Sequence, residues 1–185
     1  TMESGQSDSL QVGIVIPELE RGGAPSNYAR MLVGELVNHE TVEPIVIHAS
    51  GSTEEIDGSV ERINYEARSY PTRWLPDRPR LPRFRELERE YGIDLFHLNK
   101  IPDVDHWKVR QTNAPVVATV HGTLHWEQLP VDTLPTGYRL RRRLFDRLGR
   151  YTLTRCFTVS EYVSDVLVNR AGYNREQVVC VYEAI

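Results

Sequence analysis

Short apolar runs alternate along the chain with longer segments of helical period. The apolar runs are rich in Val and Ile and show little polar alternation, which is typical of parallel strands buried on both faces. Strands are therefore predicted at Val12–Ile16, Pro44–His48, Val60–Ile63, Asp94–Leu98, Val116–Val120, Cys156–Val159 and Val178–Val181. Helices are predicted near 25–38, 80–91, 104–112, 138–152 and 161–171. This order predicts an α/β fold with a doubly wound, mainly parallel, Rossmann-like sheet and helices on both faces.

The predicted helix at 80–91 has the clearest pattern. Leu81, Phe84, Leu87 and Tyr91 recur at intervals of three and four, which makes one apolar face that can pack on a sheet. Gly92 follows in the position of a C-terminal cap.

Four loops are the first places to look for chemistry, because ligands of doubly wound sheets bind beyond the carboxyl ends of the strands. These loops follow the strands that end at Ile16, Leu98, Val120 and Val159. Their sequences are PELERGGAPS, NKIPDVDHW, HGTLHWEQLP and SEYV. Each is richer in polar residues, glycine or aromatic residues than a simple connection needs.

Two adjacent glycines, Gly22 and Gly23, precede the first predicted helix. Because they lack side chains, backbone N–H groups can approach a ligand closely there. Pro25 suits the first turn of the helix, whose unpaired amides and dipole favour an anion. A plain tight turn is the alternative interpretation. The dinucleotide fingerprint G-x-G-x-x-G and the phosphate loop G-x-x-x-x-G-K-[ST] are both absent from the sequence.

Four stretches in order carry a family resemblance: RGGAPSNYARMLVGEL, GIDLFHLN, APVVATVHGTLHW and RCFTVSEYVSDVLVNRAGYNREQVVCVYEAI. Together they resemble the N-terminal half of a retaining glycosyltransferase of family four, which has the GT-B architecture of two Rossmann-like domains. The resemblance extends over nearly the whole chain from about Gln11, except for the insert rich in arginine and proline.

The resemblance implies roles for residues near the donor. Gly22 and Gly23 match the glycine loop that faces the donor diphosphate across the interdomain cleft. His121 matches the histidine placed against the donor sugar near the reacting centre, and Gly122 would allow close approach. A histidine bonded to the backbone is the structural alternative for His121.

Other residues are assigned to the cleft and the acceptor side. Ser160 and Glu161 match the Ser-Glu pair that opens a cleft-facing helix in the family, although Ser160 is also a good N-cap. Asn99 begins the loop after the fourth predicted strand and is expected in the same cleft. The sequence departs from the family pattern at Pro25-Ser26, where Glu-Arg is frequent, and at Glu183-Ala184, where Asn-Gly is usual.

The resemblance also implies a domain plan and an activity. Residues 1–10 are expected to be a disordered tail, and 11–185 the acceptor-side domain, without the C-terminal domain that makes most nucleotide contacts. The full enzyme would transfer a sugar from a nucleotide-sugar to a glycan, lipid or small-molecule acceptor, with no metal or other cofactor, and this chain alone would be inactive. The alternatives are a non-catalytic carbohydrate-binding or scaffold module and a nucleotide-sugar epimerase.

Composition changes this picture little. The chain is 40% hydrophobic and 26% charged, as in ordinary globular domains, and it has neither a membrane-length apolar run nor a signal-peptide pattern. Cys156 and Cys180 lie in strand-like runs and are expected to be buried free thiols, which favours a cytoplasmic location.

Two segments concentrate positive charge in a chain whose formal net charge is −4. Residues 68–85 contain six arginines and one aspartate, and residues 139–155 contain seven arginines and one aspartate. They are either solvated helix faces or a peripheral contact with an anionic membrane, as in family members that use lipid-linked acceptors. No nucleic-acid recognition motif accompanies this charge, so nucleic acid is not an expected partner.

Two short patterns raise the question of a metal ion. Asp103 and Asp105 form an Asp-x-Asp pattern, but three letters often occur by chance, and the acids suit the start of the following helix. His121 and His125 are four residues apart but follow a strand directly, and no third ligand is evident. No metal site is expected.

Overall fold

The computed structural model describes residues 9–19, 24–66, 81–100, 106–122 and 147–182. The strands are β1 (Leu10–Leu19), β2 (Val42–Gly51), β3 (Glu61–Asn64), β4 (Leu95–Leu98), β5 (Val116–Val120), β6 (Arg155–Thr158) and β7 (Val178–Cys180). All seven predicted strands are present, with ends that differ from the prediction by at most three residues.

The helices also follow the predicted order. They are α1 (Ala24–Val37), α2 (Phe84–Tyr91), α3 (His106–Val109), α4 (147–152) and α5 (Glu161–Val166). The helix predicted over 80–91 begins only at Phe84. Leu81 and Pro82 lie before its first turn, and Arg83 is its N-cap in an extended conformation. A π-helical turn, Leu167–Ala171, continues α5 to the predicted end. Of the helix predicted over 138–152, only the last turns lie within the described residues.

The seven strands form one sheet in the order β3-β2-β1-β4-β5-β6-β7, and every neighbouring pair is parallel. From β1 the chain adds β2 and β3 on one side of the sheet. The remaining strands, β4 to β7, are then added in order on the other side of β1. This point, between β1 and β4, is the topological switch point at which such sheets leave a crevice. The predicted fold class is confirmed.

Alternate residues of the central strands enter two separate apolar clusters, one on each face of the sheet. Val12, Ile14 and Ile16 of β1 pack with Ala29 and Val33 of α1. On the opposite face, Val15 joins a larger cluster that includes buried residues of α2, α3 and α5. Burial of both faces explains why the strands contain so few polar residues.

The start and end of two helices match local signals in the sequence. Gly92 ends α2 with φ 64° and ψ 32°, the left-handed conformation that glycine adopts at low cost, as predicted. Ser160 is the N-cap of α5, and its Oγ accepts a hydrogen bond of 3.3 Å from the backbone N–H of Val163.

Both cysteines are free thiols, as predicted. Cys156 is fully buried in β6, and burial raises its pKa to about 12. Cys180 is only partly buried. Among the described residues, no helix combines the length and the apolar character that crossing a bilayer requires.

Candidate functional site

Asn99 and His121 meet at the carboxyl edge of the sheet. Each follows the last residue of its strand, β4 or β5. Leu98 lies opposite Ala118 in the parallel register, so β5 extends two residues beyond β4 at this edge. His121 Nε2 lies 2.9 Å from Asn99 Oδ1. Asn99 is only 6% exposed, whereas His121 is half-buried. Two residues that were predicted separately are therefore one hydrogen-bonded pair.

The first turn of α1 forms the adjoining wall of this site. The Asn99 side-chain amide donates a 2.5 Å hydrogen bond to the carbonyl of Pro25. The Tyr28 ring meets the His121 ring edge-on, with centroids 4.7 Å apart and an interplanar angle of 70°. Buried Ser26 donates a 3.3 Å hydrogen bond to the carbonyl of Glu18 at the end of β1. The start of α1 is thus tied to both strands that flank the switch point.

A second polar layer lies beneath the first. His97 and Thr119 precede Asn99 and His121 by two residues and share their face of the sheet. His97 Nε2 is 2.7 Å from the Thr119 hydroxyl, which in turn donates a 3.3 Å hydrogen bond to the Tyr28 hydroxyl. Burial lowers the pKa of His97 to about 4, and positive charge on His121 lowers it further in the same direction. His97 is therefore neutral near pH 7.

Three residues of this site were not predicted from the sequence: Tyr28, His97 and Thr119. A usable signal was present, since His97 and Thr119 are polar residues inside otherwise apolar strands, FHL and VVATV. Both are almost fully buried, and buried polar groups need partners. Two such residues, each next to the last in its predicted strand, indicate a polar layer below the strand ends.

Ser160 and Glu161 lie at the same edge, at the end of β6, which neighbours β5. The Ser160 hydroxyl is used in the cap of α5. Glu161 is exposed, and its carboxylate lies 3.4 Å from Arg175. Within the described ranges, no hydrogen bond or ion pair joins either residue to Asn99 or His121. Their assignment to the cleft remains a prediction, and both have a structural role.

Gly122 follows His121 at the mouth of the site. A Cβ added at this glycine would meet no described atom within 4 Å, so packing against the described residues does not require glycine here. Gly22 and Gly23 lie outside the described residues, directly before α1. Asp103, Asp105, His125 and most of the two arginine-rich segments also lie outside the described residues. Among the residues that are described, no three His, Cys, Asp or Glu side chains are grouped so that they could hold a metal ion.

A polar cavity of about 480 Å³ lies at the opposite edge of the sheet. Its walls include Arg150 and Thr154, ahead of β6, and Asn174 and Gln177, ahead of β7. The Gln177 side-chain amide donates to the carbonyls of Arg150 and Leu153. These bonds hold the connections before β6 and β7 together. In contrast to this edge, the carboxyl edge is where the strand order leaves a crevice and where Asn99 and His121 meet, so the carboxyl edge is the candidate site.

Residues 22–185 match the family model described as Glycosyltransferase Family 4. Among solved structures, a glycosyltransferase from Rickettsia africae is similar, with 14% identity, a TM-score of 0.61, and coverage of 96% of this chain and 44% of that one. Anabaena HepE, solved in complex with UDP and glucose, has 11% identity, a TM-score of 0.63, and coverage of 95% and 45%.

The UDP-N-acetylglucosamine 2-epimerase of Rickettsia bellii shares the fold at 12% identity, with a TM-score of 0.55 and coverage of 93% and 44%. The chain thus spans less than half the length of these three proteins. At such identities the structural likeness shows the fold alone. No curated protein matches the sequence significantly.

Proposed function

The chain belongs to Glycosyltransferase Family 4, and on this premise we propose that it is the acceptor-side half of a retaining glycosyltransferase. The full enzyme would transfer a sugar from a nucleotide-sugar donor to a glycan, lipid or small-molecule acceptor. A second Rossmann-like domain would make most of the contacts with the nucleotide, and this chain alone would have no transferase activity. The proposal needs no metal ion or other cofactor.

One observation supports this function most directly. Asn99, His121 and the first turn of α1 are bonded into one polar wall beside the switch point, where a doubly wound sheet binds ligands. The wall combines a half-buried imidazole with Gly122, whose missing side chain leaves room for a ligand. A sugar could contact His121 there while its diphosphate extends toward the start of α1.

The start of α1 suits the leaving group. Backbone amides near Gly22 and Gly23, together with the positive end of the α1 dipole, would stabilise the departing diphosphate. Cations from the second domain would add to this. The acceptor hydroxyl, held by loops of this half, would attack from the same face, a geometry that requires no strong protein base. Ser160 and Glu161 would border the acceptor.

A second part of the proposal concerns location. We expect a cytoplasmic protein in which residues 68–85 and 139–155 contact an anionic membrane. Two described arginines of the second segment, Arg150 and Arg155, donate hydrogen bonds to the carbonyls of Gly172 and Glu176. Sedimentation with vesicles would test the contact: binding should rise with the fraction of anionic lipid, and indifference to lipid charge would contradict it.

The function is tested by incubating the full protein with a panel of nucleotide-sugars, with and without acceptors, and following nucleotide release and sugar products. We expect transfer with retained anomeric configuration, and a sharp loss of turnover in His121→Ala. His39→Ala is the matched control, because His39 is exposed in the connection between α1 and β2 and should tolerate the change. Conversion of the donor to an epimer without acceptor would identify an epimerase instead, and sugar binding without any turnover would identify a binding module.

A further inference from the structure

The hydrogen bonds of Asn99 determine how its side-chain amide is oriented. The Pro25 carbonyl, 2.5 Å away, can only accept, so the amide nitrogen must be the atom that faces it. Asn99 Oδ1 must then be the atom that faces His121 Nε2, at 2.9 Å. An amide orientation is normally inferred from its network, and here one partner without a proton decides it.

This orientation has a consequence for the imidazole. A side-chain carbonyl oxygen accepts and cannot donate, so His121 Nε2 must carry a proton to complete the bond. In the neutral ring the other nitrogen, Nδ1, is then an acceptor. The same bonds connect the ring, through Asn99, to the first turn of α1.

We propose that Asn99 is a positioning residue that holds His121 as the Nε2–H tautomer and couples its ring to the first turn of α1. The role in turnover rests on the proposed function; the tautomer does not. Aspartate could accept from His121 but could not donate to Pro25, and alanine could do neither. Only a side chain that both donates and accepts makes the two bonds at once.

The surroundings of His121 support a fixed ring. Tyr28 packs edge-on against it at 4.7 Å, and the hydroxyl of Tyr28 accepts from Thr119 in the layer below. The described titratable groups that face His121 are Tyr28 and His97, and the lowered pKa of His97 keeps that ring neutral near pH 7. No described carboxylate competes with Asn99 for the Nε2 proton.

Nuclear magnetic resonance of the 185-residue chain with ¹⁵N-labelled histidine tests the tautomer directly, at an alkaline pH at which the ring is neutral. We expect a protonated Nε2, an unprotonated Nδ1 and an Nε2 proton protected from solvent exchange. In Asn99→Ala this proton should exchange about five- to tenfold faster, as expected for the loss of one hydrogen bond. Asn99→Asp should keep the protection, because the carboxylate still accepts.

Asn27→Ala is the matched control, because Asn27 also lies in the first turn of α1 but is exposed and bonded to Arg30. It should leave the His121 signals unchanged. Protonation of Nδ1 in the wild-type chain would overturn the proposal without any variant. Unchanged proton exchange in a folded Asn99→Ala chain would overturn it as well.

Turnover of the full protein separately tests whether Asn99 acts as a positioning residue in catalysis. In metal sites, loss of the group that orients a ligating histidine typically costs about 10- to 100-fold in activity. By analogy, Asn99→Ala should lower kcat/KM by about that amount, and Asn99→Asp by less. Wild-type protein without transferase activity would refute the proposed function and leave the tautomer assignment intact. Full activity of Asn99→Ala, with the NMR changes as expected, would refute the positioning role alone.

Discussion

His97 should make the protein sensitive to acid. Its pKa is about 4 in the folded state, against an ordinary value of 6.5, because the ring is buried beside Tyr28 of α1 and Phe157 of β6 and is repelled by charge on His121. Between these two pH values the unfolded chain binds a proton that the folded chain does not. Stability is therefore fully present above pH 6.5 and is lost as the pH falls toward 4.

The magnitude follows from the pKa difference. Each pKa unit corresponds to about 1.36 kcal/mol, so the fall from 6.5 to about 4 removes roughly 3 kcal/mol of folding free energy. For a domain with a total stability of about 5–15 kcal/mol, this is a large part of the whole.

Urea unfolding between pH 7 and pH 4, followed by circular dichroism, measures the loss. Carboxylates also titrate in this range, so the comparison is with His97→Gln, whose amide can still donate to Thr119 but does not titrate. The difference in acid sensitivity between wild type and His97→Gln should be about 3 kcal/mol. His39→Gln, at an exposed position, should behave like wild type. Equal pH dependence of wild type and His97→Gln would refute the reasoning.

Three further predictions concern packing, capping and thiol chemistry. Phe84→Ala should cost about 3–5 kcal/mol in urea unfolding, because Phe84 is fully buried against Phe96 with ring centroids 4.9 Å apart; a loss below about 1 kcal/mol would contradict this packing. Ser160→Ala should lower the folding stability by about 1 kcal/mol through loss of the α5 cap, whereas Ser160→Asp should keep most of the stability. Equal thermal stability of the wild type and both variants would argue against the cap. In thiol titration of the folded protein, Cys180 should react and Cys156 should not until urea is added; rapid reaction of Cys156 in the native protein would show that β6 is not packed as described.

Most of the fold could be predicted from the sequence because the signals are local. Runs of Val and Ile buried on both faces identify parallel strands, and Gly92 identifies the end of α2. The strand ends at Leu98 and Val120 could also be predicted, and with them the candidates Asn99 and His121. Each of these inferences needs only residues close together in the chain.

The partners within the site could not be predicted in the same way. Pro25, Asn99 and His121 are far apart in sequence, and their contacts depend on the neighbouring positions of β1, β4 and β5. Ser160 shows the same limit: its position at the start of a helix was predicted, but not whether its hydroxyl serves the cap or a ligand. In the structure the cap uses it.

The sequence by itself determined the order of strands and helices along the chain and the family, since both depend on periodicity and motif order along the chain. Only the tertiary structure decided which side chains meet. The distance between the Asn99 amide and the His121 ring depends on the register of two strands and on where α1 docks. Register and docking result from packing over the whole sheet, so no local stretch of sequence contains them.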